Sequence, residues 1–220
     1  ITYSYTQNDI QSGIETFTEN GCDYILGTIE PSNKPVSYTM PRDFLFVLDA
    51  SGSMMNEPTE VIKKLMRSIL TDLRSTDKFN ILVYSTKNEL FFKESQFPTA
   101  ENLLFALSKI KQYDGNGEKL LDEGINQIQK NPFDPTYKRI IAIISDGKMN
   151  LNETVYNSFR NYAKNAQFIT LGIGRELDYQ AMNFISLATG TLPITVNDPK
   201  ELQQKTAQFE EAVLNSSIYH

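Results

Sequence analysis

The 220-residue chain has little of what soft-metal centres and nucleophilic enzymes use. It holds one cysteine, Cys22, and one histidine, His220. A single thiol excludes an intrachain disulfide, though it fixes no redox compartment, because many surface domains also lack disulfides. A single histidine argues against His-based catalysis and His-ligated zinc. No apolar run approaches the roughly 18 residues that a membrane-spanning helix needs, and no basic-then-apolar leader opens the sequence. Lysine and arginine total 21 against 27 aspartate and glutamate, a net charge of -6. No basic block is available to neutralise phosphates, which argues against nucleic acid as a partner. The abrupt start and end are what a piece of a larger protein would show.

What is present is ordinary globular composition, 40% hydrophobic and 22% charged, enough for one sizeable domain. The run Phe44-Leu-Phe-Val-Leu48 is apolar without a break, as expected of a strand buried on both faces of a parallel sheet. Val61, Ile62, Leu65, Met66, Ile69, Leu70 and Leu73 recur at helical spacing, with Pro58 near the start of that helix. Further strands are expected at Phe79–Tyr84, Glu89–Phe92, Ile140–Ile144, Phe168–Ile173 and Pro193–Val196. Helices are expected around 103–110, 120–128, 155–163, 179–187 and 202–214. Strand and helix alternate, which predicts an α/β fold: a Rossmann-like three-layer domain with a mainly parallel twisted sheet and helices on both faces. Residues 41–220 form this domain. Residues 1–40 read as an N-terminal extension, the end of a preceding β-rich module, with strands at Ile1–Tyr5 and Asp23–Glu30.

Ligands of such folds bind at the carboxyl ends of strands, where strand order reverses. There Phe44–Leu48 runs into Asp49-Ala-Ser-Gly-Ser-Met54, and Ile140–Ile144 runs into Ser145-Asp146-Gly147. Asp49, Ser51, Ser53 and Asp146 are hard oxygen donors, suited to Mg²⁺, Mn²⁺ or Ca²⁺ rather than zinc. Gly52 is read as the residue that lets the turn bend. Asp49 and Asp146 repel each other when brought together, so a positive occupant is expected between them. A lone Asp-x-Ser is more often a helix cap; the second strand ending Ser-Asp-Gly tips the balance towards a site. A phosphate loop at Gly115–Lys119, an aspartyl phosphatase and a serine hydrolase elbow each lack required residues, so no enzyme is expected.

These two motifs, with the element order over about residues 42–214, resemble the von Willebrand factor type A family. Pro41-Arg-Asp-Phe-Leu-Phe-Val-Leu-Asp49 is similar in particular to the A domains of inter-α-trypsin-inhibitor heavy chains. The resemblance implies a metal-ion-dependent adhesion site in a non-catalytic module for adhesion or assembly. In it Asp49, Ser51 and Ser53 bind a divalent cation, Mg²⁺ or Ca²⁺, and Asp146 supports it through water. An acidic side chain of a protein partner completes the shell, with Met54 and Gly147 at the contact. An extracellular or cell-surface location goes with that role. The alternative is a cytoplasmic scaffold or regulatory subunit acting with an ATPase.

One family position departs. The Gly-Gly-Thr-like turn whose threonine ligates the metal reads Asp114-Gly-Asn-Gly-Glu-Lys-Leu-Leu-Asp-Glu-Gly-Ile125 here, so the threonine falls on Lys119, or on Glu118 with a one-residue slip. Three outcomes stay open. The ammonium of Lys119 replaces the cation, since two unit charges about 4 Å apart interact by roughly 4 kcal/mol at intermediate dielectric. Glu118 adds an oxygen ligand. Or both face solvent and the remaining ligands hold metal weakly. Phe91, Phe92 and Phe97 are read as core residues or, beside an edge strand, as a contact patch.

Overall fold

The unbroken apolar run of the sequence becomes the centre of a sheet in the computed structural model. The structure describes residues 11–30, 40–54, 57–84, 88–113, 128, 134–147, 152–174, 177–196 and 198–216. Two compact units divide at Thr39 and Met40.

The first unit carries an antiparallel hairpin of β1 (Gln11–Glu19) and β2 (Cys22–Glu30). Asn20 and Gly21 join them with φ of 52° and 78°. Positive φ at both central residues gives the turn whose twist matches two antiparallel strands, and Asn-Gly is the dipeptide that best tolerates it. Phe17 and Tyr24 stack across the strands at 5.1 Å. β1 was not anticipated, although Asn20-Gly21 was there to announce it. The expected strand at Ile1–Tyr5 lies outside the described residues.

The second unit holds a six-stranded sheet in the order β5-β4-β3-β6-β7-β8. β3 (Arg42–Asp49) is central, flanked by β4 (Lys78–Tyr84) and β6 (Lys138–Ser145), with β7 (Ala166–Gly172) and β8 (Ile194–Thr195) beyond. These five are parallel; only the short edge strand β5 (Glu89–Leu90) is antiparallel. The helices are α1 (Glu57–Thr71), α2 (Ala100–Lys111), α3 (Glu153–Tyr162), α4 (Tyr179–Thr189) and α5 (Leu202–Leu214). The chain leaves β3 towards β4 on one side and returns to β6 on the other. Strand order therefore reverses between β3 and β6, and their carboxyl ends flank the crevice.

β3 is buried on both faces, which is why it carries no polar alternation. Phe44, Phe46 and Leu48 pack with Ile62, Met66 and Ile69 of α1, Ala106 and Ile110 of α2, and Phe209 and Val213 of α5. Leu45 and Val47 face the other way, among Val155 and Phe159 of α3 and Met182 and Ile185 of α4. Side-chain caps start three helices: Thr99 accepts from Asn102 N, Asn152 from Val155 N, and Asp178 from Gln180 N and Ala181 N. Gly190, at φ 71°, ends α4. Of the expected helix over 120–128, only Ile128 is described; it is helical and buried. Phe91 joins the core, and Phe92 packs edge-on to Phe79 at 5.7 Å. Phe97 remains 44% exposed, with the Lys78 ammonium 5.3 Å from its ring.

Charge is also built into the amino ends of the strands. Arg42 forks onto Asp77, Nε to Oδ1 at 3.0 Å and Nη2 to Oδ2 at 2.6 Å, and Nη1 donates to the Leu214 carbonyl. Arg139 Nη1 donates to Asp43 Oδ2 at 2.7 Å. All four side chains are buried.

Candidate functional site

At the opposite end, β3 stops with Asp49 and the chain turns at once into a short 3-10 segment, Gly52–Met54. Asp49 is fully buried, Ser51 nearly so, and Ser53 half-buried. Ser51 N donates to Asp49 Oδ1 at 2.9 Å, and Met54 N donates to the Ser51 carbonyl at 2.9 Å. This local wrap brings the hydroxyls of Ser51 and Ser53 to 3.0 Å. Gly52 lies outside the left-handed region, and a Cβ there would meet nothing within 4 Å. The turn therefore does not depend on glycine, contrary to the expectation.

β6 delivers the second carboxylate. Ser145 Oγ donates to Asp49 Oδ2 at 2.6 Å and accepts from Tyr84 OH at 2.8 Å and from Gly147 N at 3.0 Å. Asp146 is fully buried, and its carbonyl accepts from Asp178 N at 2.8 Å. Gly174, at φ 150°, makes room for it: a Cβ there would lie 2.7 Å from Asp146 Cβ. Asp49 and Asp146 act on one phenol. Burial pushes the Tyr84 hydroxyl well above its usual range, and the negative charge of Asp49, then that of Asp146, pushes the same way. The phenol therefore stays a donor. Tyr113 OH adds a hydrogen bond to the Asp49 carbonyl.

The structure thus gathers Asp49, Ser51, Ser53 and Asp146 at the reversal point of the sheet. Lys119 and Glu118 lie outside the described residues. The expected partner contact at Met54 is corrected: its side chain is fully buried in the core beside α1. Gly147 is buried as well, at φ 80°, with Asp178 O 2.8 Å and Met182 Cε 2.9 Å from where a Cβ would stand. Both residues shape the mouth from within. Tyr84, Ser145 and Tyr113 were missed as site residues. Aligning the apolar runs of β3 and β4 by their ends would have found Tyr84, since it stands opposite Asp49 in register.

The donor set fits a hard cation. Octahedral Mg²⁺ holds oxygens at 2.0–2.1 Å, so neighbouring ligands sit about 3 Å apart. The two serine hydroxyls have that spacing. Among the described residues no cluster of three His, Cys, Asp or Glu exists; the candidate set instead combines two carboxylates with two hydroxyls.

Comparison with known proteins identifies the family and the fold. Residues 42–190 match the family model described as von Willebrand factor type A domain. Human inter-alpha-trypsin inhibitor heavy chain H4 is 26% identical over 193 residues, covering 80% of this chain and 20% of that protein. The chain spans about a fifth of the length of the curated relatives it matches. A von Willebrand factor type A structure from Catenulispora acidiphila superposes with a TM-score of 0.73 at 13% identity, covering 93% of this chain and 50% of the other. The manganese-loaded TRAP protein of Plasmodium vivax superposes with a TM-score of 0.61 at 14% identity, covering 96% and 79%. This chain belongs to the von Willebrand factor type A domain family.

Proposed function

We propose that this domain is a non-catalytic protein-binding module whose mouth holds a divalent cation between Asp49, Ser51, Ser53 and Asp146 and uses it to take an acidic side chain of a partner. The observation that carries the reading is the pair of hydroxyls 3.0 Å apart beside a buried carboxylate at the point where strand order reverses. Hydroxyls at that spacing, with Asp49 in the same turn and Asp146 at the end of the neighbouring strand, offer neutral and anionic oxygens together, as hard cations prefer. A cation held by few protein oxygens keeps coordination positions for a partner's carboxylate. That a relative in fold is manganese-loaded supports the choice of probe. In sequence the family threonine falls on Lys119, or on Glu118 with a one-residue slip, and neither is a hydroxyl, so this reading takes the site as weaker than one with the threonine. An extracellular or cell-surface setting goes with this role, and fractionation of cells carrying the full-length protein tests it.

Calorimetric titration with Mg²⁺, Mn²⁺ and Ca²⁺ tests the site. Asp49→Ala is expected to abolish binding. Lys119→Thr is expected to strengthen it tenfold or more, each tenfold being about 1.4 kcal/mol. Absence of binding in both wild type and Lys119→Thr would overturn the cation, and undiminished binding by Asp49→Ala would overturn the ligand set.

A further inference from the structure

The donors and acceptors around Ser145 admit one arrangement. Its hydroxyl has one proton to give and two lone pairs to receive with. Gly147 N–H can only donate, so Ser145 Oγ accepts there, at 3.0 Å. The Asp49 carboxylate accepts, so Ser145 gives its proton there, at 2.6 Å. The remaining contact, 2.8 Å to Tyr84 OH, then runs from the phenol to Ser145, and the same phenol also interacts directly with the Asp49 carboxylate. Every position of the Ser145 oxygen is thereby used, and it has none left for a metal.

We propose that Ser145 and Tyr84 are positioning residues for the cation site: a relay from the Tyr84 phenol through the Ser145 hydroxyl fixes the plane of the Asp49 carboxylate. The inference rests on the reading that the mouth takes a divalent cation. A carboxylate bonded at one oxygen alone rotates about its Cβ–Cγ bond. Asp49 is bonded at both, Oδ1 by Ser51 N–H and Oδ2 by Ser145 O–H, from two different strands' ends. Tyr113 adds a third restraint, on the backbone carbonyl. The plane in which its other lone pairs point is then set before a cation arrives. Groups that orient a ligand in this way commonly account for 10–100-fold in metal affinity. The relay joins three strands, since Tyr84 ends β4, Asp49 ends β3 and Ser145 ends β6. It is therefore a tertiary device that the Asp-x-Ser-x-Ser turn alone does not contain.

The test compares wild type, Ser145→Ala, Ser145→Thr, Tyr84→Phe and Asp49→Ala, each as the whole chain. Mn²⁺ titration gives affinity, and amide hydrogen exchange without metal gives a second readout. Ser145→Ala is expected to weaken Mn²⁺ binding by about 10–100-fold, and Tyr84→Phe by less. Ser145→Thr, which keeps the hydroxyl, is expected to bind within a few-fold of wild type. Exchange at the Ser51 and Gly147 amides is expected to quicken in Ser145→Ala, to recover in Ser145→Thr, and to stay unchanged at Phe46 in mid-strand. A purely structural role would shift unfolding and leave affinity in place. Wild-type affinity in Ser145→Ala and Tyr84→Phe, with none in Asp49→Ala, would overturn the relay and leave the cation site standing. If no variant bound Mn²⁺, the cation reading would fall by itself. Unchanged exchange at Ser51 and Gly147 in Ser145→Ala would overturn the relay independently.

Discussion

At the amino ends of β3 and β6, Asp43 meets Arg139, and Arg42 of β3 meets Asp77. At the carboxyl ends of the same two strands, Asp49 receives a backbone N–H and a serine hydroxyl. Both ends bury carboxylates, yet one supplies guanidinium groups, forked from Arg42 onto Asp77 and singly bonded from Arg139 onto Asp43, while the described donors to Asp49 at the other are dipoles. A fork matches a carboxylate in charge and shape, as Arg42 does for Asp77, and Arg139 sets a positive charge beside Asp43. N–H and O–H donors hold a carboxylate in place while leaving its charge to be met by something else. The difference separates an end of the sheet closed by ion pairs from the end at which the proposed cation would sit. The largest test of it lies at the closed end. Asp77→Ala leaves the Arg42 guanidinium buried with the Leu214 carbonyl as its described acceptor. Breaking a buried pair from one side costs about 3–5 kcal/mol, so the urea midpoint should fall steeply. Replacing Arg42 and Asp77 together by apolar residues should recover most of that loss. A single-variant cost under about 1 kcal/mol would mean that the fork is not what holds this end.

The matching change at the open end should behave otherwise. Asp49→Asn keeps the size of the side chain and one acceptor oxygen. It misplaces one donor against either Ser51 N–H or Ser145 O–H, a cost of about 1 kcal/mol, and it removes one of two neighbouring negative charges. Cation-free stability should therefore change by about 1 kcal/mol or less, while Mn²⁺ binding is lost. An unfolding penalty as large as that of Asp77→Ala would make the two ends alike and remove the basis for the comparison.

Much of this architecture was legible because burial on both faces writes itself into sequence. Phe44–Leu48 and Ile140–Ile144 had no polar alternation to confuse with a surface strand, and the structure extends each by only one or two residues at either end. β1 was illegible by hydrophobic pattern for the opposite reason. Ile14 and Phe17 are exposed at 77% and 52%, so no core dictated their spacing, and only the turn dipeptide marked the hairpin. In the site, the residues sharing one turn were readable, since Asp49, Ser51 and Ser53 are local. Ser145 and Tyr84 reach Asp49 across strand pairing, 96 and 35 positions away, and a tyrosine closing an apolar strand reads as core. The arginine–aspartate pairs were unread for the same cause: Arg42 and Asp77 meet only when β3 and the entry to β4 are side by side.

A smaller effect should appear with pH at the closed end. Burial, and then the positive charge of Arg42, lower the Lys138 ammonium from 10.5 to about 8. Its Nζ also donates to the Ser216 carbonyl. Between about pH 8 and 10.5 the unfolded chain keeps a proton that the folded chain has released. Unfolding then takes up protons, so stability attributable to Lys138 rises with pH across that window. Lys138 is only half-buried, and solvent screening keeps the effect small. Tyr84 works the other way above about pH 10, because its folded phenol holds its proton longer than the unfolded one. Urea midpoints measured between pH 7 and 9.5 should rise for wild type relative to Lys138→Met. Parallel curves for the two proteins would exclude the assignment.

The least effect of all is expected at Gly52, in the middle of the site motif. A glycine flanked by two serines of the candidate site invites the view that its freedom makes the turn. Its backbone lies outside the left-handed region and its missing Cβ would meet nothing, whereas Gly174 and Gly147 each combine positive φ with a contact under 3 Å. Gly52→Ala should therefore change stability by no more than about 0.5 kcal/mol and leave Mn²⁺ affinity intact. Gly52 is also exposed, at the outer rim of the mouth, so an added methyl there would be felt first by whatever docks. Intact cation binding with weakened capture of an acidic partner would locate the docking surface at this turn. Weakened cation binding would instead show that the open end, too, depends on backbone shape rather than on the donors that β4 and β6 supply.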